Sequence, residues 1–150
     1  MQAALLEAQK AFAEGEVPVG AVLVIEDLIL TSDHNRTEQL HDPLAHAEIL
    51  VIRAACQQLN YERLAAAALY VTLEPCAMCA GALVLARIRC LIYGAANPKA
   101  GAICSLYTLV QDTRLNHQIE VISGVMQDEC SQLMTSFFQQ LRQGEVPKRS

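Results

Sequence analysis

The sequence lacks any apolar run long enough to cross a bilayer. Its longest stretch without a charge or strongly polar group holds the ten residues Ala77 to Ala86, twelve with Pro75 and Cys76 before them, where a membrane span needs about 20. No apolar stretch with secretory flanks opens the chain, so a soluble, untargeted, cytoplasmic protein is expected, with no membrane partner. Internal repeats and low-complexity tracts are also missing, which excludes solenoid and disordered architectures. Six cysteines in 150 residues are too few and too scattered for the disulfide framework of a small secreted scaffold. A reducing compartment follows, and Cys56, Cys90, Cys104 and Cys130 read as small buried hydrophobes. Cations are scarce at the start: residues 1–75 hold four basic against eleven acidic residues, and residues 76–150 hold seven against five, for net charges of −7 and +2. Any basic face must come from the second half.

What the chain has in surplus is apolar residues, 53% of the total. That suits a single domain over 1–150, with apolar area left for a second copy of the chain. Leu5, Ala8 and Phe12 recur at helical spacing and Gly15 follows, which predicts a helix over 2–14. The β-branched run of Val19 to Ile25, the Glu26-Asp27 dipeptide and Leu28-Ile29-Leu30 predict a hairpin with strands at 19–25 and 28–34. A polar loop over 33–43 leads into a helix at 45–59, a strand at 68–73, a helix at 75–86 and a strand at 88–93. Residues 94–116 form a long excursion with one short helical turn near 105–110, of the kind that is usually functional. A strand at 119–123 and a helix at 128–142 complete the order. Strands alternating with helices predict a largely parallel sheet with right-handed crossovers.

Two short motifs carry chemistry. His46-Ala47-Glu48 opens one predicted helix and Pro75-Cys76-Ala77-Met78-Cys79 opens another. Pro75 suits a first helical position, where its missing N–H costs nothing. Cys76 and Cys79, three apart, then lie one turn apart on one face, with thiolates favoured by the helix dipole. Alone, a C-x-x-C pair is as often a structural zinc half-site or a redox pair, and a lone H-A-E is mostly chance. Together, thirty residues apart and both at helix starts, they supply three zinc ligands, His46, Cys76 and Cys79. A fourth position is left for water, as in catalytic sites. Glu48, two residues from His46 and so off its face, is placed to move the water's proton.

The motif pair resembles the zinc-dependent nucleoside and nucleobase deaminases. The resemblance extends through Pro18-Val19-Gly20-Ala21-Val22, Asn35-Arg36, His41-Asp42-Pro43, Thr72-Leu73-Glu74-Pro75, Pro98-Lys99-Ala100-Gly101, Asn116-His117 and Phe137-Phe138. Over nearly the whole chain it points to the bacterial tRNA adenosine deaminases of the cytidine-deaminase-like superfamily. It implies a three-layer α/β/α sandwich on a five-stranded mixed sheet, one Zn²⁺ per subunit and a homodimer with the 94–116 excursion and the Pro75 helix at its interface. The implied reaction is hydrolytic deamination of adenosine to inosine at the wobble position of a tRNA anticodon, with an arginine tRNA as substrate. Glu48 would move a proton from water to the ring nitrogen and then to the departing ammonia.

By position the resemblance makes Asn35 a hydrogen-bonding partner of the target nucleotide, the Ala47 N–H a donor near the purine edge, and Val19 and Pro75 pocket walls. Lys99, Phe137, Phe138 and Arg142, with Lys148 and Arg149 in the tail, would contact RNA. From residue pattern alone, Asn35 reads equally as a turn former, Val19 as core, and the two phenylalanines as part of an apolar helix face with Leu133, Met134 and Leu141. Asn97 stands where the family pattern has an acidic residue. The same zinc and glutamate chemistry serves a deaminase of free guanine, cytosine or a nucleoside, and a silent RNA-binding subunit would keep the zinc without needing Glu48.

Overall fold

The structure, a computed structural model, describes residues 1–146; Lys148 and Arg149 lie outside them. Helix α1 (Gln2–Ala13) leads into a hairpin of β1 (Gly20–Ile25) and β2 (Leu28–His34). Its two connecting residues, Glu26 and Asp27, have φ of 50° and 62°. This is the primed turn whose twist matches that of paired strands. Then come α2 (Ala47–Leu59), β3 (Ala68–Leu73), α3 (Ala77–Leu85), β4 (Cys90–Ala95), a single 3-10 turn (Leu109–Gln111), β5 (Glu120–Ile122) and α4 (Gln127–Gln143). The sheet order is β2-β1-β3-β4-β5. The pairs β2–β1 and β1–β3 are antiparallel, while β3–β4 and β4–β5 are parallel. The mixed five-stranded α/β/α sandwich implied by the resemblance is the fold observed, while the largely parallel sheet predicted from alternation is not, because β1 lies between β2 and β3 and runs antiparallel to both.

Alternation along the strands sorts the layers. In β3 and β4, Leu69, Val71, Leu91 and Tyr93 belong to the main core with Val51 and Ala55 of α2 and Leu83 and Val84 of α3. Their neighbours Ala68, Cys90 and Ile92 face the other side, which α1 and α4 cover. Period-two patterning thus places one helix pair on each face. Gly20 is required here: a Cβ on it would run into the Ala4 carbonyl and Ala8 amide of α1, so only glycine lets α1 lie this close to the sheet.

Several element ends differ from expectation, each for a local reason. The helix predicted over 75–86 begins at Ala77, because Pro75 spends its carbonyl on the Ala102 N–H and Cys76 pairs with Gly101. The strand predicted at 88–93 is shifted to Cys90–Ala95. Arg87 takes a left-handed conformation and the Arg87 and Ile88 N–H groups close the last turn of α3, so Ile88 is not free to pair. The short turn expected near 105–110 is the 3-10 turn at Leu109–Gln111. Cys104 is exposed, against the expectation that it is buried.

Because β1 runs antiparallel to its neighbours, its first residue lies beside the C-terminal ends of β2 and β3. Val19, Asn35, Glu74 and Asn97, which enter or leave these strands, therefore share one rim of the sheet. Ligands of open α/β sheets bind at such rims, outside the strand ends.

Candidate active site

Both motif helices point their N-termini at this rim. His46 is the N-cap of α2 and Cys76 the N-cap of α3, so partial positive charge from two helix ends converges there. His46 Nδ1 lies 3.7 Å from Cys76 Sγ and 3.5 Å from Cys79 Sγ, and the three ligand atoms are mutually within 4.8 Å. Zinc with Zn–S of about 2.3 Å and Zn–N of about 2.05 Å in a tetrahedron requires N···S edges of about 3.6 Å. The donor set and its spacing fit that ion.

The sulfur pair is charged unequally. Hydrogen bonds, first from Cys79 and then from His46, bring the Cys76 thiol down to about 4. The bond to Cys76, together with burial, pushes Cys79 up. The His46 imidazole is raised by its bond to Cys76. A proton held among three such donors is one that a divalent cation displaces on binding. Glu48, in the first turn of α2 and 4% exposed, has its carboxyl raised by burial. A carboxyl whose charged form is disfavoured in this way is suited to holding a proton and passing it on.

These groups line a cavity of about 220 Å³, together with Val17, Val19, Asn35, Thr37 and Asn97. It shares Val17, Leu73 and Asn97 with a wider groove of about 680 Å³, which Lys99, Phe138 and Arg142 also line. The rim thus gathers Val19, Asn35, His46, Glu48 and Cys76 into one cup, with Cys79 fully buried behind it. Two expected contacts are not made as read from the sequence: Pro75 and Ala47 are buried without lining the cup. Phe137 requires a clear correction. It is fully buried and packs edge-on against Phe12, with ring centroids 5.5 Å apart, so it holds α4 onto α1 and cannot stack on a base. Phe138, 38% exposed, is the one of the pair that reaches the groove.

Beside the cup, two buried carboxylates went unassigned in the sequence, Glu74 and Glu16. Glu74 accepts the N–H groups of Asn97, Ile103, Cys104 and Ser105 and the Ser105 hydroxyl. It thereby folds the excursion over the rim. Burial alone would raise its carboxyl, but these hydrogen bonds outweigh it and hold Glu74 at about 2. Gly101 allows the approach, since a Cβ there would strike the Glu74 carboxylate. Asn97, which stands where the resemblance led to an acid, closes the turn through its side-chain oxygen, which accepts the Ala100 N–H at 3.2 Å. Glu16 is the second, bonded to Asn35, Thr37 and Gln39. The signal for both was an acid next to apolar strand residues, which folding can bury only with donors around it.

A model of the MafB19-like deaminase family matches residues 1–142. The chain is 50% identical over 149 residues to the tRNA-specific adenosine deaminase of Bacillus subtilis (strain 168), covering 99% of this chain and 92% of that one. It is 47% identical to the tRNA-specific adenosine deaminase of Agrobacterium fabrum (strain C58 / ATCC 33970) over 142 residues, 95% of this chain and 93% of that one. It superposes with a TM-score of 0.86, at 48% identity, on a structure solved in a study of A-to-I editing by tRNA:A34 deaminases at the wobble position of transfer RNA, covering 89% of this chain and 96% of that one. Guanine deaminase from Nitrosomonas europaea shares the fold with a TM-score of 0.77 at 22% identity, over 89% of this chain and 80% of that one. A deaminase family model that spans both motif helices, and near half identity along almost the full length of these relatives, place the chain in the family of the tRNA-specific adenosine deaminases.

Proposed function

We propose that the chain hydrolyses the wobble adenosine of a tRNA anticodon loop to inosine, releasing ammonia. The observation that carries this reading is the shape of the site. A cup of about 220 Å³ is below the roughly 300–1,000 Å³ of ordinary small-ligand clefts, yet it adjoins, through Val17, Leu73 and Asn97, a groove about three times larger that is lined by two cations and an exposed aromatic. That suits one flipped base held by a polymer whose neighbouring nucleotides lie outside, on phosphate-binding and stacking groups. The names of the relatives support the same substrate.

His46, Cys76 and Cys79 would hold Zn²⁺. When bound, the ion supplies the Lewis acidity that lets water act as a nucleophile near neutral pH. Glu48 takes a proton from the attacking water and passes it to the ring nitrogen, then takes the proton of the hydroxyl newly added at C6 and delivers it to the departing amine, which leaves as ammonia. Its burial excludes the bulk water that would otherwise exchange the proton. Asn35 and Val19 fix the nucleotide in the cup, and Lys99, Phe138 and Arg142 bind the flanking strand. A homodimer belongs to the reading: Leu85, Leu106 and Tyr107 are 80%, 53% and 61% exposed on α3 and the excursion, the faces expected at the interface. So does a cytoplasmic location, supported by six unpaired cysteines and by the absence, among the described residues, of a helix long and apolar enough to cross a membrane.

Inosine formation in an anticodon stem-loop tests the substrate. Adenosine at the wobble position is expected to convert, while cytidine there, free adenosine, guanine and cytosine do not. Equal turnover of a free base or nucleoside would instead make this a small-molecule deaminase. A monomer by light scattering at micromolar concentration would remove the dimer.

A further inference from the structure

Asn35 reaches the cup from the end of β2, and its side chain is held from behind. The amide nitrogen donates to Glu16 Oε2 at 3.1 Å and to Thr37 Oγ1 at 3.4 Å. The Thr37 hydroxyl donates to the same Glu16 oxygen at 3.4 Å, and Glu16 Oε1 accepts the Gln39 N–H at 2.8 Å. Glu16 is 1% exposed and Asn35 6%. In such a buried network each group's role is set by what it is able to donate.

A carboxylate only accepts. The Asn35 amide must therefore turn its NH₂ toward Glu16, which leaves the carbonyl oxygen as the atom offered to the cup. The opposite orientation would set oxygen acceptors of both side chains against each other where water cannot intervene. Glu16 sits between α1 and β1 and Asn35 follows β2, so the bond also ties together the two segments that form this wall.

We propose that Glu16 is a positioning residue that sets specificity: it locks the Asn35 amide with its oxygen toward the cup, so that the site offers an acceptor to a hydroxyl or N–H donor of the bound nucleotide and disfavours a group presenting its own acceptor there. This rests on the deaminase reading above, and Glu16, which does not line the cup, acts through Asn35 rather than on the nucleotide.

Exchanging the pair tests it, with kcat and KM measured on the wobble-adenosine stem-loop. Glu16→Gln permits the amide to turn over and is expected to lower kcat/KM about tenfold, mostly through KM, as for loss of one hydrogen bond made alike in ground and transition states. Asn35→Asp sets two carboxylates against each other and is expected to lose at least as much. The double variant Glu16→Gln/Asn35→Asp rebuilds the bond with donor and acceptor exchanged and again leaves an oxygen for the cup. It is expected to return to within about threefold of the wild type, a coupling that two independent structural lesions would not show.

Losses that multiply in the double variant overturn the proposal, as does a folded Glu16→Gln with wild-type kcat/KM. Where a single variant does not fold, the double variant decides: folded and active supports the exchange, while inactive or unfolded overturns it. A wild-type chain that leaves the stem-loop unchanged counts against the proposed substrate rather than against Glu16. The same four proteins are then read on whichever free base or nucleoside the wild type converts.

Discussion

Among the described residues, two clusters bring three ligand-type side chains within 4.8 Å of one another, and they are built in opposite ways. At the rim, His46, Cys76 and Cys79 come from two helix starts and have mainly one another as partners. On the other side of the sheet, Glu7 of α1 and Asp33 and His34 of β2 make up the second group. There His34, 2% exposed, has Nδ1 3.0 Å from Glu7 and Nε2 2.8 Å from Glu14. Lys10 pairs with Glu7 at 2.7 Å, and Arg36 with Asp33 at 2.7 Å. Every member of the second cluster is matched by an opposite or complementary group, so it serves as a clamp between α1 and β2. Proximity of ligand types is therefore a poor guide to a metal site. What separates the two is whether the protein itself satisfies the donors.

Replacing one member of each cluster gives the largest contrast. Cys76→Ser is expected to lose the metal and with it all measurable turnover, whereas His34→Gln keeps both; metal analysis beside an inosine assay reads the difference. Full metal in Cys76→Ser, or loss of metal in His34→Gln, would reverse the assignment of the two clusters.

Next in size is Glu48→Gln, which keeps the ligands and removes the proton carrier. Turnover should fall by at least ~10²–10⁴ with metal content unchanged. Burial disfavours the charged form of Glu48, so the neutral glutamine is expected to melt no lower than the wild type, a trade of stability for activity common at catalytic positions.

The clamp should show the reverse pattern. His34→Gln removes the ring nitrogens that meet Glu7 and Glu14 and leaves Glu7 with Lys10 and Ser32 alone, and urea titration is expected to register a loss on the order of 2–3 kcal/mol at near-normal turnover. Unchanged stability would mean that α1 is held by its apolar face alone.

The smallest effect concerns acid. Burial alone would raise the Glu7 carboxyl, but hydrogen bonds from Lys10 and His34 outweigh it and set it below its ordinary 4.5. A depressed carboxylate contributes stability that is complete above 4.5 and fades as pH falls through its folded value. The wild type should thus lose stability on acidification below about 4.5, and Glu7→Gln should show a shallower slope there. Identical slopes would place the acid sensitivity elsewhere.

Much of the molecule is legible in one dimension because its causes are local. The hairpin follows from β-branched runs on either side of Glu26-Asp27, and the candidate zinc ligands from two motifs at helix starts; the alternation of strands and helices showed an α/β class but not the antiparallel half of the sheet. Those features depend on spacing along the chain, which a sequence displays directly. Element ends were less visible, since Pro75, Cys76 and Ile88 spend their backbone groups on partners distant from the helix and strand templates.

What only the tertiary structure decided is which of several equivalent residues meets which partner. Phe137 and Phe138 are adjacent and identical in type, yet a rotation of about 100° per helical residue turns one onto Phe12 and the other to the groove. Glu16 and Glu74 look like any acid beside a strand. Their roles exist only because the antiparallel placing of β1 and the folding back of the excursion bring Asn35 and the 97–105 backbone to them. A buried carboxylate needs donors from somewhere, and the sequence alone determined that need. The chain's path in space determined which donors answer it.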